Sequence, residues 1–502
     1  MAGEFAVDDA LGTAALQRVT EVLPAGPARI ETERRTWLDT FDWTLFRAGL
    51  VLEQRAGTEH RLILSSTDGT VLGQAPAPRR TLTDATLPEG PIRDKVFPLL
   101  GLRTLLPRLT AEGSTALLPV LDDVEKTVAR VAIDGPFTAA GSDVPVTRVR
   151  VESLRGYDRE ASRVDAELAA LPGLAAADSS VFVALAASAG LRPGVFRSKP
   201  EPTFKATTPA LAAFSETLGQ LAEITAANVE GTIEEWDTEF LHDLRVAVRR
   251  ARSVLKMAGG VYDEPTFTKW GAELKWIGDA TSLSRDLDVN LLDFGKGLDA
   301  RDIASVEPFK ALLQRKHRRA HNALNRVLRS DRFATLMAGW QADLAHPTMG
   351  GELATAPIGK VARELLDRAW KRVGKRGSAI TVESPADDLH DLRKRCKELR
   401  YLLEFFGGLY DKATYKAFVD ELKLLQENLG SFQDYEAQWF LVRDSAEELR
   451  AIAPIDTLLA MGRMAHELRL GQEHEHAVFA ETWARFYAKE NRARFAAMVA
   501  GK

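Results

Sequence analysis

Apolar positions change rhythm near residue 200. Before it, short apolar runs are broken by turn residues: Gly49–Glu53, Arg61–Leu64, Val128–Asp134 and Val146–Glu152. The last alternates apolar with charged residues, the period of a strand with two unlike faces. Asp68-Gly69 and Asp134-Gly135 punctuate turns, and Ala161–Leu171 and Ser180–Ala189 carry helical spacing. These features predict an α+β domain with an antiparallel sheet over residues 1–195. Residues 196–208 fall in a stretch of prolines and polar residues without period, and read as a linker. From 209 to 502 apolar residues recur at steps of three and four, as in Leu211–Ala226, Glu239–Ala258, Val306–Arg329, Ile358–Val373 and Ala386–Phe406. This part is expected to be all-α, a helical bundle.

The helical part repeats. Shifted by 148 residues, Leu241-His242-Asp243-Leu244-Arg245 falls on Leu389-His390-Asp391-Leu392-Arg393, Gly259-Gly260 on Gly407-Gly408, and Tyr262-Asp263 on Tyr410-Asp411. From Leu241 to Asp263, 11 of 23 positions are identical, which chance does not produce. Further on, Glu273-Leu274-Lys275 matches Glu421-Leu422-Lys423, and Asp286 matches Asp434. Two copies of one unit are implied, about 209–344 and 358–502, joined through Ala345–Pro357. Asp237 or Thr238 is expected to cap the first repeated helix. Ser384 is expected to cap the second, with Pro385 at its first position and Asp387 and Asp388 in the first turn. The Gly-Gly pairs are expected to end both helices.

The repeated helices put charge on one face. His242, Arg245, Arg249, Arg252 and Lys256 follow steps of 3, 4, 3 and 4, so they form a single stripe opposite Leu244, Val248, Ala251 and Leu255. In the second copy the stripe is His390, Arg393, Lys397 and Arg400, with Lys394 beside it. Stacked like charges weaken a helix by a few tenths of a kcal/mol per pair, so a matched pair of such stripes points to an anionic ligand. A solvated or internally paired face is the alternative, and His242 and His390 could instead be core residues holding a backbone carbonyl. Further basic residues crowd two other helices: Arg315, Lys316, Arg318, Arg319, Arg326 and Arg329 on one, Lys360, Arg363, Lys371, Arg372, Lys375 and Arg376 on the other. Of these, Arg319, Lys360 and Arg363 are taken as candidate members of the site. Arginine suits phosphate because its planar fork donates two parallel hydrogen bonds.

Composition narrows the field little. The chain is 45% apolar and 27% charged with a net charge of −5. Residues 1–200 carry 23 Lys and Arg against 26 Asp and Glu, and the remainder 43 against 45, so an anion site must come from placement rather than excess. Cys396 is the only cysteine, which excludes a disulfide within the chain and suits a reducing compartment. The first residues lack a basic and then apolar signal pattern, and no apolar run approaches a membrane span. A cytoplasmic protein without membrane association is expected.

The segments LHDLRVAVRRARSVLKMAGGVY and LHDLRKRCKELRYLLEFFGGLY resemble the CHAD family of histidine-containing helical domains over roughly residues 205–500. The resemblance implies two four-helix bundles related by a pseudo-two-fold and a basic groove for inorganic polyphosphate. It also implies association with polyphosphate granules, and contact with granule proteins becomes possible there. Carried over by motif, His242, Arg245, Arg249, Arg252, His390, Arg393, Lys397 and Arg400 become phosphate contacts. The stretch Thr36–Leu50 resembles a CYTH, or triphosphate-tunnel, domain. Active members of that family hold a divalent metal against triphosphate with a Glu-x-Glu-x-Lys strand and further carboxylates. Here Glu4-Phe5-Ala6-Val7-Asp8 keeps only Glu4, and Arg148, Arg150 and Glu152 stand where acidic residues would alternate. The tunnel-like domain is therefore expected to be degenerate, with no metal, no cofactor and no catalysis. The leading expectation is non-catalytic polyphosphate binding. The alternatives are a metal-dependent triphosphatase or polyphosphatase in the N-terminal domain, and a nucleic-acid binder. Against nucleic acid, the stripes carry few interleaved aromatics for base stacking.

Overall fold

The computed structural model describes residues 4–8, 11–79, 82–83, 86–296 and 298–500. The chain divides into two compact units after Arg197. The first unit holds strands β1 (Glu4–Val7), β2 (Arg29–Asp39), β3 (Leu50–Ala56), β4 (His60–Ser66), β5 (Val71–Pro76), β6 (Leu106–Leu121), β7 (Thr127–Ala139), β8 (Pro145–Ser153) and β9 (Leu174–Ala176). They form one nine-stranded sheet in the order β5-β4-β3-β2-β6-β7-β8-β1-β9, with every pairing antiparallel. Helices α1 (Ala15–Val22), α2 (Thr44–Arg47), α3 (Pro91–Leu100), α4 (Asp158–Ala169) and α5 (Val181–Ser188) lie in the connections. In β8 the period of two separates two environments, because successive side chains point to opposite faces. Val149 and Val151 enter an apolar core with Val164 and Leu168 of α4, while Arg150 and Glu152 line a polar cavity. Ser180 caps α5 by accepting from the Val183 amide.

In the second unit, the first copy runs through α6 (Ala210–Ala227), α7 (Val229–Ile233), α8 (Thr238–Met257), α9 (Glu264–Leu292), α10 (Ala300–Ser305), α11 (Glu307–Leu328) and α12 (Asp331–Gly339). The second copy has α13 (Ile358–Gly377), α14 (Ala386–Phe406), α15 (Lys412–Leu449), α16 (Ile455–Phe486) and α17 (Lys489–Ala500). The four long helices of each copy are α6, α8, α9 and α11, and α13, α14, α15 and α16. The copies meet where α8 packs on α14 and α6 on α13. One core spans both copies, and a second lies among α9, α11, α15 and α16. Leu244, Val248, Ala251 and Leu255 are buried on α8, and their counterparts Leu392, Cys396, Leu399 and Leu403 are buried on α14. Burial of these inner stripes fixes which way the basic stripes face.

The helix ends explain the shared motif only in part. Asp263 and Asp411, equivalent in the repeat, each cap the next helix, accepting from the Thr266 amide at 3.0 Å and the Thr414 amide at 2.9 Å. Asp237 caps α8 by accepting from Glu239, as the sequence suggests. Ser384 does not cap α14: its hydroxyl accepts from the Thr381 amide, and Pro385 takes the cap position with no side-chain bond. The preceding turn wins that hydroxyl. Gly260 takes a left-handed φ of 77° after α8, whereas Gly407, in the right-handed region, opens a 3-10 turn, Gly407–Leu409. Among the described residues, no helix is long and apolar enough to cross a membrane.

Candidate anion-binding site

Along α8 the stripe emerges gradually: His242 and Arg245 are half-buried, and Arg249, Arg252 and Lys256 are exposed. Arg245 is tied to α9, its Nη1 donating to the Gly278 carbonyl at 3.1 Å and to the Ser282 hydroxyl at 2.6 Å. Burial lowers its pKa; Asp286 opposes this, and the guanidiniums of Arg249, Arg285 and Arg252 add to the lowering. His242 is also held below its ordinary value, first by burial and then by Arg285, so it is mainly neutral at neutral pH. Arg252 lies over Gly278, where a Cβ would come within 3.0 Å of its Nη1. The absent side chain leaves room for that guanidinium.

On α14, Arg393 Nη2 stands 3.4 Å from Asp434, and Arg400 donates to Glu404 at 2.8 Å and to Gln426 at 3.1 Å. His390 Nε2 lies 2.9 Å from Glu436, and its ring meets Phe432 edge-on. Lys397 is the half-buried cation between them. Burial, then Arg393, then Arg249 push its ammonium down to about 8, with Asp434 only partly opposing. Arg249 belongs to the other copy, so the two stripes act on one another where α8 and α14 pack. Burial and same-sign neighbours both disfavour the charged form of such a group.

The remaining candidates stand apart. Arg319 on α11, Lys360 and Arg363 on α13, and Lys394 on α14 are exposed, with no side-chain hydrogen bond or ion pair among the described residues. No contact ties Arg319, Lys360 or Arg363 to the stripes; Arg363 acts instead on Tyr410, whose hydroxyl burial first pushes up to about 12. Arg285 was missed from the sequence. It reaches in from α9, donating to the Thr238 carbonyl at 3.1 Å and acting on His242 and Arg245. The signal lay next to Asp286, which the repeat had already marked.

The first unit has a cavity of about 380 Å³ lined by Glu4, Glu31, Glu33, Glu53, Asp134 and Glu152 among others, so it holds more carboxylates than β1 and β8 alone suggest. Glu33, Glu53, Asp134 and Glu152 are each paired with a guanidinium, whereas burial holds Glu4 above its ordinary value with Arg148 opposing only in part. Arg35, fully buried, places Nη2 2.7 Å from Glu33 and from the Thr115 hydroxyl, pairs with Asp134, and brings Nε within 3.4 Å of Glu53. Arg55 reaches Glu53 at 2.8 Å, and Arg150 reaches Asp134 at 3.1 Å and Glu152 at 2.7 Å. Arg61 and Arg148 stand near Glu31 and Glu4 at 3.9 and 4.0 Å. Burial alone would raise the Asp134 pKa, but Arg35, Arg150 and Arg55 drive it far below the carboxylate range. A divalent metal does not fit here, because guanidiniums already occupy the carboxylates that would hold it. Among the described residues no group of three or more His, Cys, Asp or Glu is placed to bind a metal.

The helical unit is thus duplicated, and its two basic helix faces come together where α8 packs on α14. Residues 216–443 match the family model of the CHAD domain, so the helical unit carries a CHAD domain over that span. The match ends within α15, before α16 and α17. Among solved structures, the chain is similar to the CHAD domain from the plant Ricinus communis, at 25% identity and a TM-score of 0.45, over 60% of this chain and 96% of that one. It is also similar to PptA from Streptomyces chartreusis, at 20% identity and a TM-score of 0.44, over 55% of this chain and 99% of that one. No curated protein matches.

Proposed function

We propose that the CHAD unit binds linear inorganic polyphosphate along α8 and α14, without making or breaking a bond, and that this attaches the protein to cytoplasmic polyphosphate granules. The observation that carries the reading is Lys397, an ammonium pushed down to about 8 by burial and by a guanidinium from each copy. A flexible polyanion with one charge on each phosphate relieves that repulsion at several points along its length. The first unit is proposed to have no hydrolytic role, since Arg35 and its neighbours neutralise its carboxylates from within.

Titration of the full chain with long-chain polyphosphate, orthophosphate and single-stranded RNA tests this. Tight binding of polyphosphate, not displaced by equimolar RNA and not matched by orthophosphate, is the expected result. Preferential binding of RNA would replace this reading with nucleic-acid recognition.

A further inference from the structure

The two copies place equivalent cations in unequal surroundings. Position by position, Arg393 and Arg400 have carboxylates within reach: Asp434 at 3.4 Å and Glu404 at 2.8 Å. His390 likewise has Glu436 at 2.9 Å. On α8, Arg249, Arg252 and Lys256 have no carboxylate within 4 Å among the described residues, and Arg245 is held by a carbonyl and a hydroxyl rather than by an acid. Asp286 and Asp279 influence these guanidiniums from further away. The difference is written in the repeat. Glu404 falls at the position of Lys256, and Gln426, which accepts from Arg400, at that of Gly278. Glu436 falls at that of Asp288, which in the first copy turns to His317 at 2.6 Å, so that only the charges of Glu239 and Asp243, outweighed by burial and Arg285, favour protonated His242. Arg285, which adds a cation beside His242, corresponds to the neutral Gln433.

We infer that the two halves of the site are inequivalent: the α8 face, with Arg285, is the primary seat for the polyanion, and the α14 face is screened by its own carboxylates. The inference rests on the polyphosphate reading and says which part of the surface performs it. An incoming phosphate meets open donors on α8, whereas on α14 it must first displace a carboxylate from each guanidinium, which offsets much of the new contact.

The test measures long-chain polyphosphate binding to the full chain at low salt for wild type and three double variants. Arg249→Gln/Arg252→Gln is expected to weaken binding about 30-fold or more, the scale of two lost charge-assisted contacts. Arg393→Gln/Arg400→Gln is expected to weaken it about threefold or less, because those groups are already paired. Asp434→Asn/Glu404→Gln, which removes the screening together with the Glu404 contact to Arg250 at 3.9 Å, is expected to tighten binding. Equal losses from the two arginine pairs, or no gain from the carboxylate variant, overturn the inference while leaving polyphosphate binding intact. Absence of binding by the wild-type chain overturns both.

Discussion

Arg249 and Lys397 lie on different copies of the repeat, yet the guanidinium of one helps hold the ammonium of the other down to about 8. Burial is the larger cause, and Arg393 adds to it. An ordinary surface lysine, well hydrated and near 10.5, has no such neighbours. The pair ties the duplication to the site, since neither copy alone produces it.

Binding should therefore depend on alkaline pH. The free protein loses the Lys397 proton as pH rises through about 8, whereas a bound polyanion returns the pKa toward its ordinary value. Affinity is highest below pH 8 and falls by about tenfold between pH 7 and 9, with proton uptake on binding in that window. Lys397→Arg, which keeps its charge, flattens the profile. Calorimetry in buffers of different ionisation enthalpy reads both quantities.

The same residue should limit stability. Its folded value lies below its unfolded one, so the unfolded chain holds more protons between about pH 8 and 10.5 and stability rises with pH across that range. At pH 7 the cost is fully present. Lys397→Met is expected to raise the melting temperature of the helical unit at pH 7 while weakening polyphosphate binding, a combination that thermal melts with and without ligand would show.

Salt should weaken the complex steeply. By analogy with nucleic acid, neutralising about four phosphates releases condensed counterions and lowers affinity roughly 50-fold between 50 and 200 mM monovalent salt. Titrations across that range give the slope, and a flat line would remove the electrostatic account.

In the first unit, Arg35→Met should leave Glu33, Glu53 and Asp134 without their shared counter-charge. Breaking a buried pair by removing one partner costs about 3–5 kcal/mol. The expected outcome is early loss of the sheet unit's urea transition, followed by near-ultraviolet circular dichroism, with polyphosphate binding by the helical unit retained. Addition of Mg²⁺ or Mn²⁺ to the wild-type chain should release no phosphate from tripolyphosphate.

Much of the helical architecture was legible because apolar spacing and charge spacing share one period: burial of Leu244 and Leu392 dictates where Arg245 and Arg393 point. What escaped were contacts between elements. Arg285 joins from α9, the carboxylates of α15 approach the α14 stripe, and Ser384 turns back to Thr381 instead of capping. None has a fixed spacing in sequence from the residue it meets. In the sheet unit, Glu33, Arg35 and Asp134 come from β2 and β7, strands whose alternation reveals that their side chains share a face but not that they neutralise one another.

The most direct measurement is calorimetric titration of the full chain with long-chain polyphosphate at low salt and pH 7, comparing wild type with Arg249→Glu/Lys397→Glu. Tight wild-type binding, abolished in a variant whose helical circular dichroism is unchanged, is the result predicted for a site where α8 meets α14. Undiminished binding by the variant would contradict it.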